Sequence, residues 1–251
     1  MNTQEAEEKL KDYLFSGIRA ELYCAKEARA VAKVIGDHSE RLGATRFYSL
    51  FAWLNVVFSE RETLCVAKIF DRPNKKFPVR SISSTLILIE ENAGIWSLPE
   101  RGYLEELLAK NGYDVIKYKS NEQIALAVVE YFWRTIPSVE KKDDCQLSSA
   151  LNRVFQSRDK VHAHNEDILR TERTLPTWTD TKNLIEYAEE FSKTVSRGFL
   201  GLAEIITDPE ATSRQFERLM GISKLVNEEY LRDGKNLRFI EILRKEIFES
   251  N

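Results

Sequence analysis

Glycine and proline are scarce in this chain, ten and six among 251 residues. A turn-rich sandwich or barrel consumes many more of both, so the composition excludes such a β-architecture and favours helix. Cysteine is rarer still. Cys24, Cys65 and Cys145 are far apart, odd in number and in no metal-binding spacing. That excludes a disulfide framework and reads as core thiols of a reducing compartment. No apolar run reaches the ~20 residues that span a bilayer; the longest, "FAWLNVVF" and "IALAVVEYFW", are far shorter. The opening "MNTQEAEEKLKDYL" is acidic and lacks a signal-peptide hydrophobic region. The expectation is a soluble, cytoplasmic protein without a membrane partner. An excess of one charge is also missing: 37 basic against 40 acidic residues leave a net −3. A broad basic surface that coats nucleic acid is thereby excluded, though a small local site is not.

What is present is helical periodicity. Leu10, Leu14, Ile18, Leu22, Ala25, Ala28, Ala32 and Ile35 recur at helical spacing and predict a long first helix ending near Gly36. Asp37 with Glu40 is a capping pattern for the next helix. That helix carries Phe47, Leu50, Phe51, Leu54, Val57, Phe58, Cys65 and Ile69 and stops at "DRPNKKFP". Residues 83–92, "SSTLILIEEN", have the β-branched content of a strand in a helical context and are read as helix. A helix over 99–111 should follow, then "YDVIKYK" as a loop or isolated extended piece. Ser120 and Gln123 form a capping-box pattern ahead of a helix closed by Pro137. Later helices are expected from about Asp144 and from about Asp180, and Asp208–Pro209 reads as a cap with proline at the first helical position. The last 40 or so residues should form short helices broken near Gly221 and Gly234.

The chemistry concentrates in "FQSRDKVHAHNED", residues 155–167, which holds two of the three histidines, His162 and His164. On a helical wheel, Leu147, Leu151, Val154 and Val161 form one apolar stripe within about 80° of arc, and Arg158 falls in its middle. A guanidinium is always charged, and burying it alone is costly. Either its stem packs while its head reaches solvent, or this face meets an anion or a second polypeptide. His162 would lie beside Arg158 on a continuous helix. His164 would lie about 120° away and could join Arg158 only if the helix bends or ends, or if another copy completes the site.

Three chemistries compete for the histidines. "HAHNED" departs from the H-x-H-x-D-H zinc pattern, with Glu166 and Asp167 in the wrong places and no histidine after His164, so no metal is expected. Cys145 or Ser157 as a nucleophile has no sequence feature fixing its base. No G-x-x-x-x-G-K or G-x-G-x-x-G is present, and no cofactor is expected.

The third reading is a family resemblance. "SRDKVHAHNE" resembles the signature of the HEPN superfamily, the higher-eukaryote and prokaryote nucleotide-binding domain: an arginine, a polar residue, then a histidine after four to six intervening residues. Arg158, Asp159 and His164 take those places, with five residues between. The wider order is similar to the abortive-infection, AbiU-like branch, through "AKIFDR" at 67–72, "SISSTLILIEEN" after it and "LPTWTDTKNLIEYAEEF" after the motif. It covers roughly residues 5–200. Some family toxins carry a modifiable tyrosine two residues after the histidine; Glu166 stands there, so that regulation is not carried over.

The resemblance implies an all-α HEPN-like bundle over 1–205 with an insertion at 95–140, and a helical appendage over 206–251. It implies a homodimer with the motif at its interface and a metal-independent endoribonuclease of a phage-defence or toxin–antitoxin system. His164 would transfer protons, Arg158 bind the scissile phosphate and Asp159 orient one of them. Lys160, His162, Arg170 and Arg173 are candidates for RNA contact, and an antitoxin or companion defence protein is a possible partner. The alternative is an inactive HEPN dimerisation or regulatory module of a defence system.

Overall fold

A single helical stretch opens the chain. In the computed structural model, α1 (Thr3–Lys11) runs into a wider π-helical stretch, Asp12–Arg19, and on into α2 (Ala20–Asp37). Asn2 caps it: its side chain accepts from the Glu5 N–H at 2.9 Å, and the Glu5 carboxylate accepts from the Asn2 N–H at 3.0 Å. Two orphan donors of the first turn are satisfied in this way. The further helices are α3 (Ser39–Gly43), α4 (Tyr48–Phe70), α5 (Ile82–Glu91), α6 (Arg101–Lys110), α7 (Asn121–Thr135), α8 (Gln146–Gln156) and α9 (Trp178–Leu200). The structure describes residues 1–45, 47–73, 79–138, 146–159, 175–203, 214 and 216–218. Among them there is no strand, so the fold is all-α. No helix among the described residues is long and apolar enough to cross a membrane.

The chain divides into two compact units, neither continuous in sequence: Met1–Ala25 with Glu62–Thr207, and Lys26–Arg61 with Asp208–Asn251. In the first, the π-helical stretch, α5, α6, α7, α8 and α9 enclose one core. Its centre is aromatic and aliphatic, with Phe132 packed edge-on against Phe191 at 4.9 Å between ring centres. Residues 95–140 supply part of this core through Leu104, Leu108, Ile124, Val128 and Phe132. Gly198 lets α9 approach α6 closely, since a Cβ there would lie 2.3 Å from Leu104 Cδ2. The left-handed Gly201, φ 63°, ends α9. In the second unit, Val31, Val34, Ile35, Leu42 and Phe51 form a smaller core. Phe216 sits edge-on to Phe51 and Phe58 there, at 6.2 and 6.1 Å.

Helix α5 shows why "SSTLILIEEN" was ambiguous as a pattern. It is buried nearly all round, Ser83, Ser84 and Thr85 included, so it has no polar face to reveal a 3.6-residue period. Two of these hydroxyls bond locally: Thr85 Oγ1 donates to the Ser81 carbonyl at 2.9 Å, and Ser84 Oγ lies 3.2 Å from Ser81 Oγ, which also caps the Ser84 N–H at 3.3 Å. The Ser120–Gln123 capping box is present as expected.

One local expectation is corrected and two are refined. Asp37 is the last residue of α2 and pairs with Lys33 at 2.5 Å; His38 takes the cap position of α3 without a side-chain bond. "YDVIKYK" is a loop, the first of the two readings, and Val115–Lys117 form a 3₁₀ turn within it. Helix α9 starts at Trp178, capped by Thr177, with Asp180 third in the helix.

Cys24 and Cys65 are free thiols; Cys145 lies outside the described residues. Burial, then a hydrogen bond to Glu21, pushes the Cys65 thiol up to about 12. Glu21 also takes Lys68 at 2.9 Å, one helical turn from Cys65.

Candidate functional site

Helix α8 positions the first half of the motif. Ala150, Leu151 and Val154 are buried in the first unit's core and Leu147 packs against it. After Gln156 the helix widens into a π-helical turn, Ser157–Asp159. Such single wide turns recur at functional sites because they re-aim a side chain off the regular ladder. Ser157 stays buried, whereas Arg158 is about a quarter exposed, at 26%.

The arginine on the apolar stripe has its charge met within the chain. Its Nη1 donates to Asp71 Oδ1, and its Nε donates to Asp159 Oδ1 at 2.6 Å. The guanidinium also lies over the Phe155 ring, 4.7 Å from its centre. Burial lowers its pKa, but the hydrogen bonds to Asp159 and Asp71 outweigh that and hold it above its ordinary value. Intrachain pairing therefore replaces solvent reach or a partner as the immediate reason that Arg158 tolerates this position. Among the described residues, no group meets its Nη2.

Asp71 was not foreseen as a site residue, although "AKIFDR" was singled out. It follows the last residue of α4, and its neighbours fix it in place. Phe70 is buried and packs against the Tyr187 ring at 6.0 Å. Arg72 Nη2 donates to Ser138 Oγ at 3.0 Å, and the Ser138 N–H donates to Ser148 Oγ of α8 at 3.1 Å. The tripeptide Phe70–Arg72 thus holds α8 near both its ends, through Ser148 and through Arg158. An aspartate directly after an apolar helix was the visible signal; its choice of partner is tertiary and leaves no trace in spacing.

A second pair was also missed. Arg153 grips Asp180 through Nε at 2.8 Å and Nη2 at 2.5 Å, a fork on one carboxylate. Asp180 is buried and closes the α9 capping box, accepting from the Thr177 N–H at 2.7 Å. Arg153 above all, against the opposing effect of burial and with help from Thr177, lowers its carboxyl to about 2.

Of the expected site residues, the structure brings Arg158 and Asp159 together. His164, His162, Lys160, Arg170 and Arg173 lie outside the described residues. Among the described residues no group of three or more His, Cys, Asp or Glu is placed to hold a metal. No protein-family model, no curated protein and no solved structure matches this chain.

Proposed function

We propose that this chain is a metal-independent endoribonuclease of a phage-defence or toxin–antitoxin type, working in the cytoplasm as a homodimer through Arg158 and His164. The observation that supports it best is how Arg158 is held. Two carboxylates fix its Nε and Nη1, a ring lies under it, and no group among the described residues meets Nη2. A guanidinium that its neighbours fix in place, with donors beyond the two they take, suits a tetrahedral anion.

In this reading His164 of one protomer takes the 2′-hydroxyl proton, and the 2′-oxygen attacks the adjacent phosphorus. The 5′-oxygen leaves with a proton from the symmetry-related histidine, and the product is a 2′,3′-cyclic phosphate. Arg158 stabilises the charge of the phosphorane-like transition state. Asp159 orients Arg158, and Lys160, His162, Arg170 and Arg173 contact RNA outside the scissile phosphate. An antitoxin or companion defence protein restrains the enzyme.

One feature favours a second reading. Arg158 with Asp71 and Asp159 carries a formal charge of −1, which repels phosphate unless further cations join it. An arginine already neutralised suits an inactive dimerisation or regulatory module. RNA cleavage in EDTA separates the two. Wild type should cleave single-stranded or loop RNA, and His164→Ala should slow it by ~10²–10⁴-fold. Arg158→Ala should cost a comparable factor, lysine should not restore it, and His162→Ala should be milder. If His162→Ala abolishes cleavage while His164→Ala stays active, the proton-transfer role belongs to His162. If wild type is as inert as every variant on diverse RNAs, the module reading replaces the enzyme.

A further inference from the structure

Helices α6 and α9 meet where Leu104 packs on Gly198. Beside that contact an open groove of about 470 Å³ runs between them, which is the size of a small-molecule site. Its charged side chains are unequally engaged. Glu106 and Lys110 are taken up by each other, 2.8 Å apart on α6. Arg197 of α9 is held in place but makes no hydrogen bond. Its guanidinium lies over the Tyr103 ring, 4.3 Å from the centre, and the Tyr103 hydroxyl sits 3.4 Å from Thr194 Oγ1. Glu100 is 3.7 Å from it, an ion pair too long for a hydrogen bond, so its donors stay unmatched among the described residues. Lys193 precedes it by one turn on the same helix face. Neither Lys193 nor Glu190 makes an ion pair or side-chain hydrogen bond among the described residues. The corner that leads into the groove is strained as well. Buried Leu98 has φ 48°, a left-handed conformation unfavourable for leucine, and such outliers collect at ligand clamps. Two residues on, Glu100 stands at the cap position of α6 without capping it, its carboxylate beside Arg197 instead.

We propose that this groove binds a short zwitterionic peptide, two or three residues long. The unengaged groups select it. Arg197 and Lys193 offer a carboxylate one forked and one point-like donor, and Glu190 offers an ammonium its counter-charge. Three carboxylates balance three cations along the lining, so a phosphate or other dianion finds no net attraction there. Length follows from the helix rise. The point midway between Lys193 and Arg197 lies ~7.5 Å beyond Glu190 along α9. An extended dipeptide spans ~7 Å and a tripeptide ~10 Å, which sets the carboxylate at the two cations and the ammonium at Glu190. Tyr103 and Leu107, half-buried on the α6 wall, give a side chain between those ends an apolar surface. Because the groove is open to solvent, affinity should be weak, with a dissociation constant on the order of 0.1–1 mM. No residue of the Arg158 motif lines the groove, so the inference does not rest on the ribonuclease reading.

Titration of the full chain with alanyl-leucine and alanyl-leucyl-alanine to about 10 mM, followed by amide NMR shifts, tests it. At least one peptide should give saturable shifts in α6 and α9. Amidating its carboxyl end, which meets two cations, should weaken binding roughly tenfold, and acetylating its amino end about threefold. Arg197→Ala should weaken it roughly tenfold, and lysine at that position should not restore it, because the fork is gone. Glu190→Gln should bring the free peptide down to the level of the acetylated one and leave the acetylated one unchanged. Melting temperatures of these variants should match wild type, since the side chains are exposed. A chain that shows no saturable shift with either peptide overturns the proposal. So do blocked peptides that bind as tightly as the free one, or an Arg197→Ala variant that binds as wild type does.

Discussion

Arg153 and Arg158 stand five residues apart on the same helical segment, and both meet aspartate, yet the two arrangements have little else in common. Arg153 closes on one carboxylate with two parallel bonds, and that carboxylate is buried and also closes a helix cap. Every polar role of Asp180 is used up in tying α8 to the start of α9. Arg158 divides its donors between two half-exposed or exposed carboxylates, and Nη2 has no partner among the described residues. Arginine beside aspartate therefore does not by itself mark a site. What marks one is the capacity left over after the structure has taken its share.

The comparison breaks most readily at Asp180. Asp180→Ala removes a buried carboxylate that serves both the Arg153 fork and the helix cap, while Arg153 itself, 29% exposed, can turn to solvent, so it should cost ~3–4 kcal/mol. A thermal melt should show a fall of roughly 10 °C or more for a chain of this size. A loss under about 1 kcal/mol would mean that the pair is solvated like a surface bridge and that the contrast is false.

Acid sharpens the same point with a smaller effect. The Asp180 carboxyl is lowered to about 2 in the folded chain, against ~3.9 when unfolded. A lowered carboxylate contributes stability that is fully present above the unfolded value and is lost as pH falls through the folded one. The loss should therefore lie between about pH 4 and pH 2 and amount to about 2.5 kcal/mol. Urea midpoints of wild type and Asp180→Asn should differ at neutral pH and converge near pH 2. Parallel curves across that window would remove Asp180 as the source.

How much of this was legible beforehand follows from what kind of interaction each feature is. The helices and the Ser120–Gln123 box were legible because their causes are local: spacing, caps and breakers lie within a few residues of what they shape. The start of α9 was legible to within two residues, and its cap is equally local, since Thr177 and Asp180 close on each other. Arg158 stood out because a charge on an apolar stripe is a local contradiction. Its resolution did not, since Asp71 is 87 residues away in sequence. The division into two units was hidden for the same reason: α2 and α4 each run unbroken across it.

The smallest effect carries the sharpest distinction. Arg158 and Asp71 side chains are 26% and 29% exposed, so solvent screens their attraction and the energy that couples them should be modest. A double-mutant cycle of Arg158→Ala and Asp71→Asn, read by denaturant midpoint, should give a coupling of about 1 kcal/mol or less. Asp159 supports this expectation, because it still holds Nε when Asp71 loses its charge and so shares the work. A coupling of about 3 kcal/mol would put Arg158 in the class of Arg153, a fixture of the fold with nothing left to offer a ligand. A weak coupling has the opposite meaning. An arginine kept half-buried over a ring and between two carboxylates at little gain in stability is then a group whose position the fold maintains for another purpose, and an anion that reaches Nη2 displaces no bond that the described residues make.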